Sequence, residues 1–339
     1  MADVDVVKKS AVEAAHPFDR LTPSFILDAL EAQGLACDGR LLALNSYENR
    51  VYQAGLDEAE PVIVKFYRPG RWSAEQIQEE IDFTCELDEL ECPVVAPLFD
   101  GDDEALFEHA GFFYTISPRR GGRAPELDDL SNLEVFGRTL GRMHQAGAAE
   151  DFEHRPVLDA QGFGHDSVEF LLASEMVPPE LQEAWEAVAR QVLLEVDAHM
   201  DFVPASRWIR CHGDCHAGNV LWREYTPWFV DFDDARTAPR IQDLWMLLSG
   251  DRDRQQAQLA KLIAGYREFC DFDSTELNLI ESLRSLRMLH HSAWLARRWD
   301  DPAFPPAFPW FGTQRYWEQQ ILELKEQLAA MREPPLELL

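Results

Sequence analysis

The sequence predicts an α+β protein in two lobes, a small β-rich N-terminal lobe with one main helix and a larger, mostly helical C-terminal lobe. Three observations predict it. A block of short apolar runs ends in the β-branched segment PVIVKFY at 61–67, a composition that suits a pleated sheet. The segment PRRGGRAP at 118–125, with two prolines and two glycines, then breaks the chain. Beyond it, most segments repeat their apolar residues at helical spacing.

In chain order, residues 1–17 are polar and alanine-rich and read as a flexible tail. The first lobe spans 18–117. A short helix is expected at 22–33, with Thr22 as cap, Pro23 in the first turn and Gly34 at the end. Strands are expected at 41–46 and 50–53, around a polar turn, and at 61–67. Ser73 followed by Gln76 is a capping-box signature, so a helix should run from 73 to about 90 with Ile77, Ile81 and Leu87 on its apolar stripe. Short strands at 94–98, 105–108 and 111–117 complete the lobe. Residues 118–125 read as a hinge, and 126–339 as the second lobe. Helices are expected there at about 131–147, 178–200, 240–248, 254–270, 274–299 and 313–332, with one β interruption at 207–232. The segment DPAFPPAFPWF at 301–311 is too apolar for a free linker and should pack on the surface of the second lobe.

Composition narrows the function. The formal charge is −30, from 31 Lys and Arg against 61 Asp and Glu. Such a field repels nucleic acid and anionic lipid, so neither is an expected partner. ATP is an anion too, so a nucleotide enzyme of this charge needs Mg²⁺ and a few cations close to the phosphates. The six cysteines form no C-x-x-C pair, which fits a reducing compartment. With no apolar run of membrane-spanning length and no signal-peptide core at the N-terminus, the expected location is cytoplasmic.

The polar signal concentrates in His212-Gly213-Asp214-Cys215-His216-Ala217-Gly218-Asn219 and in Phe229-Val230-Asp231-Phe232-Asp233. The pattern is H-x-D-x-x-x-x-N, with an apolar strand ending in Asp twelve residues after the Asn. Phosphoryl transfer needs a group that orients the attacking hydroxyl and takes its proton, and oxygen ligands for Mg²⁺ on the phosphates. Asp214 opens a loop and serves as the base. Asn219 closes that loop as a neutral metal ligand. A hairpin at about 219–231 returns Asp231, the anionic metal ligand and second catalytic carboxylate. Lys65 is the one charge within VIVKFY, and an ammonium in an apolar strand needs a partner. The helix at 73–90 offers Glu79 and Glu80. Glu80 borders the apolar stripe and is preferred, with Glu79 as rival. Together these features outline a bilobal protein-kinase-like fold that uses ATP and Mg²⁺.

Other residues carry less. In the turn 45–50 the Ser46 hydroxyl could meet phosphate, although a plain hairpin turn is the simpler reading. Cys211, His212, Cys215 and His216 do not complete a paired zinc spacing, and His212 reads as a loop brace. Asp243 reads as a cap or brace of its helix. Asp233 and Asp234 are candidates for a second ion or an arginine, Trp294 and Trp310 for packing.

HGDCHAGN resembles the aminoglycoside phosphotransferase and choline kinase branch of kinase-like enzymes. More closely, LNSYENRVYQ, IVKFYRPGRW, RCHGDCHAGNVLWR, VDFDDAR, QDLWMLL and DPAFPPAFPW resemble the bacterial stress response kinase A family, from about residue 18 to near the C-terminus. The resemblance implies a cytoplasmic serine/threonine protein kinase that autophosphorylates and acts in envelope and oxidative stress. It maps the family's base, metal and ATP-contact positions onto Asp214, Asn219, Asp231 and Ser46. The implied partners are ATP and a protein substrate, the chain itself included, acting as a monomer. The alternative is a kinase of a small amino alcohol, such as choline or homoserine, or of an aminoglycoside.

Overall fold

The computed structural model describes residues 16–338. Residues 1–15 of the expected tail lie outside the described residues. His16 and Pro17 do not belong to a loose tail: the His16 ring accepts from the Phe18 amide and caps a single 3₁₀ turn, Pro17–Arg20.

Helix α1 (Pro23–Glu31) starts at its Thr22 cap, whose hydroxyl accepts from the Phe25 amide. Strands β1 (Cys37–Ala43), β2 (Arg50–Leu56) and β3 (Ala59–Phe66) precede helix α2 (Ala74–Glu89), and strands β4 (Phe107–His109) and β5 (Phe112–Pro118) follow it. The five strands form one antiparallel sheet in the order β1-β2-β3-β5-β4. Side chains alternate across it. Val62, Val64 and Phe66 turn inward onto Tyr114, Ile116 and Ile26 of the small-lobe core. Lys65, in register with Val51 and Thr115, takes the opposite face, toward α2.

Three small-lobe expectations shift. β1 begins at Cys37 and ends at Ala43, because 44–49 leaves the sheet to meet the other lobe. The strand expected at 94–98 is absent, and Val94 makes only an isolated bridge to Phe229. Pro93 and Pro97 remove the donors a ladder needs. The strand expected at 105–108 is the short edge strand β4.

The second lobe holds α3 (Leu130–Gly147), α4 (Asp166–Ala173), α5 (Pro179–Met200), β6 (Ile209–Cys211), β7 (Val220–Arg223), β8 (Thr226–Phe229), β9 (Arg236–Ala238), α6 (Gln242–Trp245), α7 (Arg252–Tyr266), α8 (Ile280–Arg297), α9 (Phe304–Ala307) and α10 (Gln314–Met331). α4, β9 and α9 were not foreseen. The helix expected at 240–248 contracts to one turn, and the one expected from 274 opens as a 3₁₀ segment, Ser274–Leu279. α3 and α7 cross at glycines: a Cβ on Gly137 would lie 2.0 Å from the Leu262 carbonyl. Among the described residues no helix is long and apolar enough to cross a membrane.

The segment at 301–311 does more than cover its own lobe. The Tyr47 ring packs 4.9 Å from Phe308 and 6.3 Å from the buried Phe304. Asp301 receives Arg50 at 3.0 Å and Arg68 at 2.7 Å. The β1–β2 loop is therefore fastened to the second lobe, which sets the roof of the cleft.

Candidate active site

Lys65 projects from β3 toward α2, where Glu80 Oε1 meets its Nζ at 2.5 Å. Tyr67 donates to the same oxygen at 3.3 Å, and Arg155 stands 3.8 Å from Oε2. Burial alone would lower the Lys65 pKa, but Glu80 and neighbouring acids raise it well above the usual value, so the ammonium stays charged. Glu79 faces the other way. Its carboxylate accepts from the amides of Glu153, His154 and Arg155 at 2.6, 2.9 and 2.7 Å. The preference for Glu80 over Glu79 at Lys65 therefore agrees with the geometry.

Asp231 follows β8 in the left-handed region, φ +63°, a conformation that costs a non-glycine residue energy and turns the chain sharply. Phe232 then drops into the core, its ring 4.5 Å from His212 and 6.0 Å from Phe83. This leaves the Asp231 carboxylate half-exposed in the cleft, 4.0 Å from Lys65 Nζ. Enclosure among protein atoms pushes its pKa up to about 6, with Lys65 opposing and Asp233, Glu80 and Asp234 adding. Asp233 goes the other way. Burial would raise it, but Arg71 at 2.6 Å and then Lys65 and Arg155 bring it down to about 2.

Asp214 lies across the cleft. Its carboxylate pairs with Arg287 of α8 and stands 3.4 Å from His216 Nε2. Burial favours its neutral form, yet the His216 hydrogen bond and the Arg287 charge hold it well below the usual carboxylate range. Asn219 donates from Nδ2 to the Asp214 carbonyl at 3.0 Å, so the two ends of the loop are tied together. His212 braces the same loop: its Nδ1 accepts from the Asp214 amide at 3.3 Å, and Nε2 lies 3.0 Å from the Val230 carbonyl.

Asp243 corrects an expectation. It does not cap its own helix. The fully buried carboxylate accepts from the His212 and Gly213 amides at 2.7 and 2.9 Å, with His144 Nε2 at 3.1 Å. It is a peg for the loop that carries Asp214. Burial would raise its pKa, but hydrogen bonding to His144 and the charges around it lower it, so it holds the loop as an anion.

Two cavities meet at this point. One, of about 400 Å³, runs beneath the sheet and is lined by Ile63, Lys65, Thr115, Ser117, Leu221 and Val230 among others. The other, of about 380 Å³, lies on the Asp214 side. Ser46, Asn219 and Asp231 border both. The first has the apolar walls and the ammonium that a nucleoside triphosphate needs. At the seam, Asn219 has committed its nitrogen, which leaves Oδ1 available, and the Asp231 carboxylate lines the same two cavities. These are hard oxygen donors in an acidic cluster, and they fit Mg²⁺. Of the two partners expected for Asp233 and Asp234, a second ion or an arginine, both residues meet the arginine, Arg71.

Arg71 and Arg287 escaped the sequence reading. Arg71 bonds Glu48 of the roof loop and both Asp233 and Asp234 of the floor. Both arginines sit in ordinary polar contexts, and their partners lie far away in sequence. For Asp243 a signal existed, an acid within an otherwise apolar helix start.

Residues 40–280 match the phosphotransferase enzyme family. The chain is 44% identical over 328 residues to stress response kinase A of Escherichia coli strain K12, across 96% of this chain and 98% of that one. It is 44% identical over 327 residues to the serine/threonine protein kinase RdoA of Salmonella typhimurium, again across 96% and 98%. Among solved structures it is similar to the amicoumacin kinase in complex with AMP-PNP, Ca²⁺ and Ami, with TM-score 0.70, 17% identity and coverage of 92% and 94%. It is also similar to a microcompartment-associated aminopropanol kinase, with TM-score 0.69, 17% identity and coverage of 93% and 100%. At such identities the likeness to these structures is one of fold.

Proposed function

Because the chain belongs to the stress response kinase A family, a member of the phosphotransferase enzyme family, we propose that it is an ATP- and Mg²⁺-dependent serine/threonine protein kinase that also phosphorylates itself and acts in a bacterial stress response. The observation that carries the chemistry is that Asn219 and Asp231 lie on the seam between the two cavities, with Lys65 lining the one on the sheet side and Asp214 the other.

Asn219 and Asp231 would hold Mg²⁺, which when bound would neutralise charge on the phosphates. Lys65, kept charged by Glu80, binds the α- and β-phosphates of ATP. The Ser46 hydroxyl, fixed in the fastened roof loop, meets the phosphates from above. Asp214 orients a Ser or Thr hydroxyl of the substrate and takes its proton as the oxygen attacks the γ-phosphorus. The bond from that phosphorus to the β–γ bridging oxygen breaks, ADP leaves with the electron pair, and Asp214 returns the proton to solvent. Asn219 ties the base to the metal position through the Asp214 carbonyl, so the two keep their spacing.

The test is incubation of the purified chain with γ-labelled ATP and Mg²⁺, alone, with generic proteins and with a metabolite panel, followed by mass spectrometry of the products. Label on Ser or Thr of the chain and of protein acceptors is expected. Asp214→Ala should lower turnover at least about 100-fold, the typical scale of general-base loss. Label in an amino alcohol with none in any protein would replace this reading by that of a small-molecule kinase.

A further inference from the structure

In a chain with 61 acidic and 31 basic residues, the acceptor side of the cleft departs from that balance: its two adjoining cavities hold five arginines against five carboxylates. The cavity around Asp214 is lined by Arg71, Arg236 and Arg287 and by Glu48, Asp231, Asp233 and Asp234, of which Arg71 holds Glu48, Asp233 and Asp234. A third cavity, of about 240 Å³, adjoins it and shares Arg71, Phe163, Asp234, Arg236, His290 and Trp294 with it. Arg297 and Arg298 complete its wall, and its one carboxylate is Asp234. That carboxylate is already claimed by Arg71 at 2.8 Å and by Arg236. Arg298 is committed to Glu48 at 3.0 Å.

Two arginines are left. Arg297 has no ion pair among the described residues and lies over the Phe170 ring at 4.6 Å. Arg287, 41% exposed, pairs only with Asp214, the proposed base. It covers Asp214 Oδ1, and His216 stands 3.4 Å from Oδ2, so both oxygens of the base have a partner.

On the reading of this site as a protein kinase, we infer that its acceptor is anionic: a Ser or Thr hydroxyl flanked by carboxylates on a polypeptide, with Arg287 and Arg297 as the positioning residues that read the charge. An acidic flank exchanges partners. It draws the Arg287 guanidinium off Asp214 and delivers the hydroxyl in its place, while Arg297 takes a second carboxylate. A cationic acceptor finds no uncommitted carboxylate in the adjoining cavity and leaves Arg287 on the base.

The test is a set of synthetic heptapeptides with one central Ser flanked by Asp, by Asn or by Lys, together with glycerate and glycerol 2-phosphate as small anionic alcohols, each with labelled ATP and Mg²⁺. The Asp-flanked peptide should exceed the Lys-flanked one by about tenfold or more in kcat/KM, a gap that narrows with salt. Arg297→Glu should shrink that ratio by about tenfold, and Arg297→Gln, the milder change at the same site, should shrink it in the same direction. Arg287→Lys should retain more of the preference than Arg287→Gln.

Equal labelling of all three peptides would overturn the inference and leave the kinase reading standing. Label in glycerate or glycerol 2-phosphate with none in any peptide would overturn the polypeptide acceptor in both, while the charge preference survived. No label in any acceptor would overturn both.

Discussion

Replacing Asp243 tests the claim that a side chain remote from the nucleotide holds the base in place. Asp243 is fully buried, and its carboxylate takes the amides of His212 and Gly213 at 2.7 and 2.9 Å. In Asp243→Ala both donors lose their acceptor where no water reaches. At about 1–3 kcal/mol for each unsatisfied donor, the loss is roughly 2–6 kcal/mol, a large share of the about 5–15 kcal/mol that holds a typical domain. Gly213 cannot swing freely to find another partner. Its φ is +84° and a Cβ there would lie 2.1 Å from the Asp234 carbonyl, so the loop is hemmed in. Asp243→Asn is the better probe. It keeps one accepting oxygen and removes a buried charge, so a loss of about 1–3 kcal/mol is expected. Urea unfolding measures that loss. Steady-state kinetics measures the second effect: a shift of the loop by about 1 Å should lower kcat by about 100-fold. Nucleotide affinity, set from the other lobe by Lys65 and Glu80, should change little. An Asn variant with parental stability and kcat would refute the peg.

The two neighbouring glutamates of α2 should separate cleanly. In Glu80→Gln, Lys65 falls back on Asp231 at 4.0 Å in place of a partner at 2.5 Å. At an effective dielectric near 20 that difference is about 2.5 kcal/mol, or roughly 70-fold in kcat/KM for ATP. Glu79→Gln should cost stability through the amides of 153–155 and change that constant by no more than a few-fold; equal kinetic losses would refute the division. Gly137→Ala should destabilise by about 1–3 kcal/mol in a thermal melt, because α3 and α7 must part, whereas Gly121→Ala, with nothing within 4 Å, should stay within about 0.5 kcal/mol. The His290 pKa is pushed down to about 3 by burial and then by Arg236. Its folded value lies below the unfolded value, so the stabilisation is present above pH about 6.5 and is lost as pH falls toward 3. Discounted by half for its partial exposure, His290 costs about 1 kcal/mol at pH 5. The stability gap between the parent and His290→Phe should therefore move by that much between pH 7 and 5 in favour of the variant, and a constant gap would refute the assignment.

The sequence by itself determined what is local or periodic. The capping box at Ser73 and Gln76, the Thr22 cap and the alternation in β3 fixed α1, α2 and the face on which Lys65 lies, because each depends on neighbours within a few residues. The spacing from Asp214 to Asn219 to Asp231 was legible for the same reason: a loop and a hairpin are short enough to bring the three together. Elements without a periodic core face were not legible. The strand expected at 94–98 dissolves between two prolines, β9 exists only because β6 pairs with it, and α4 is short. Helical spacing favoured Glu80 over Glu79 at Lys65, and tertiary structure shows what occupies the rival, since Glu79 is drawn away by the amides of 153–155. Tertiary structure alone decided that 301–311 reaches the roof loop through Tyr47 and Asp301, that Asp243 serves the loop of Asp214, and that Arg287 lies on the base itself. Each of these is a charge or ring finding its complement tens to hundreds of residues away. Such pairing leaves no spacing in the sequence, because the long-range packing of the two lobes selects the partner.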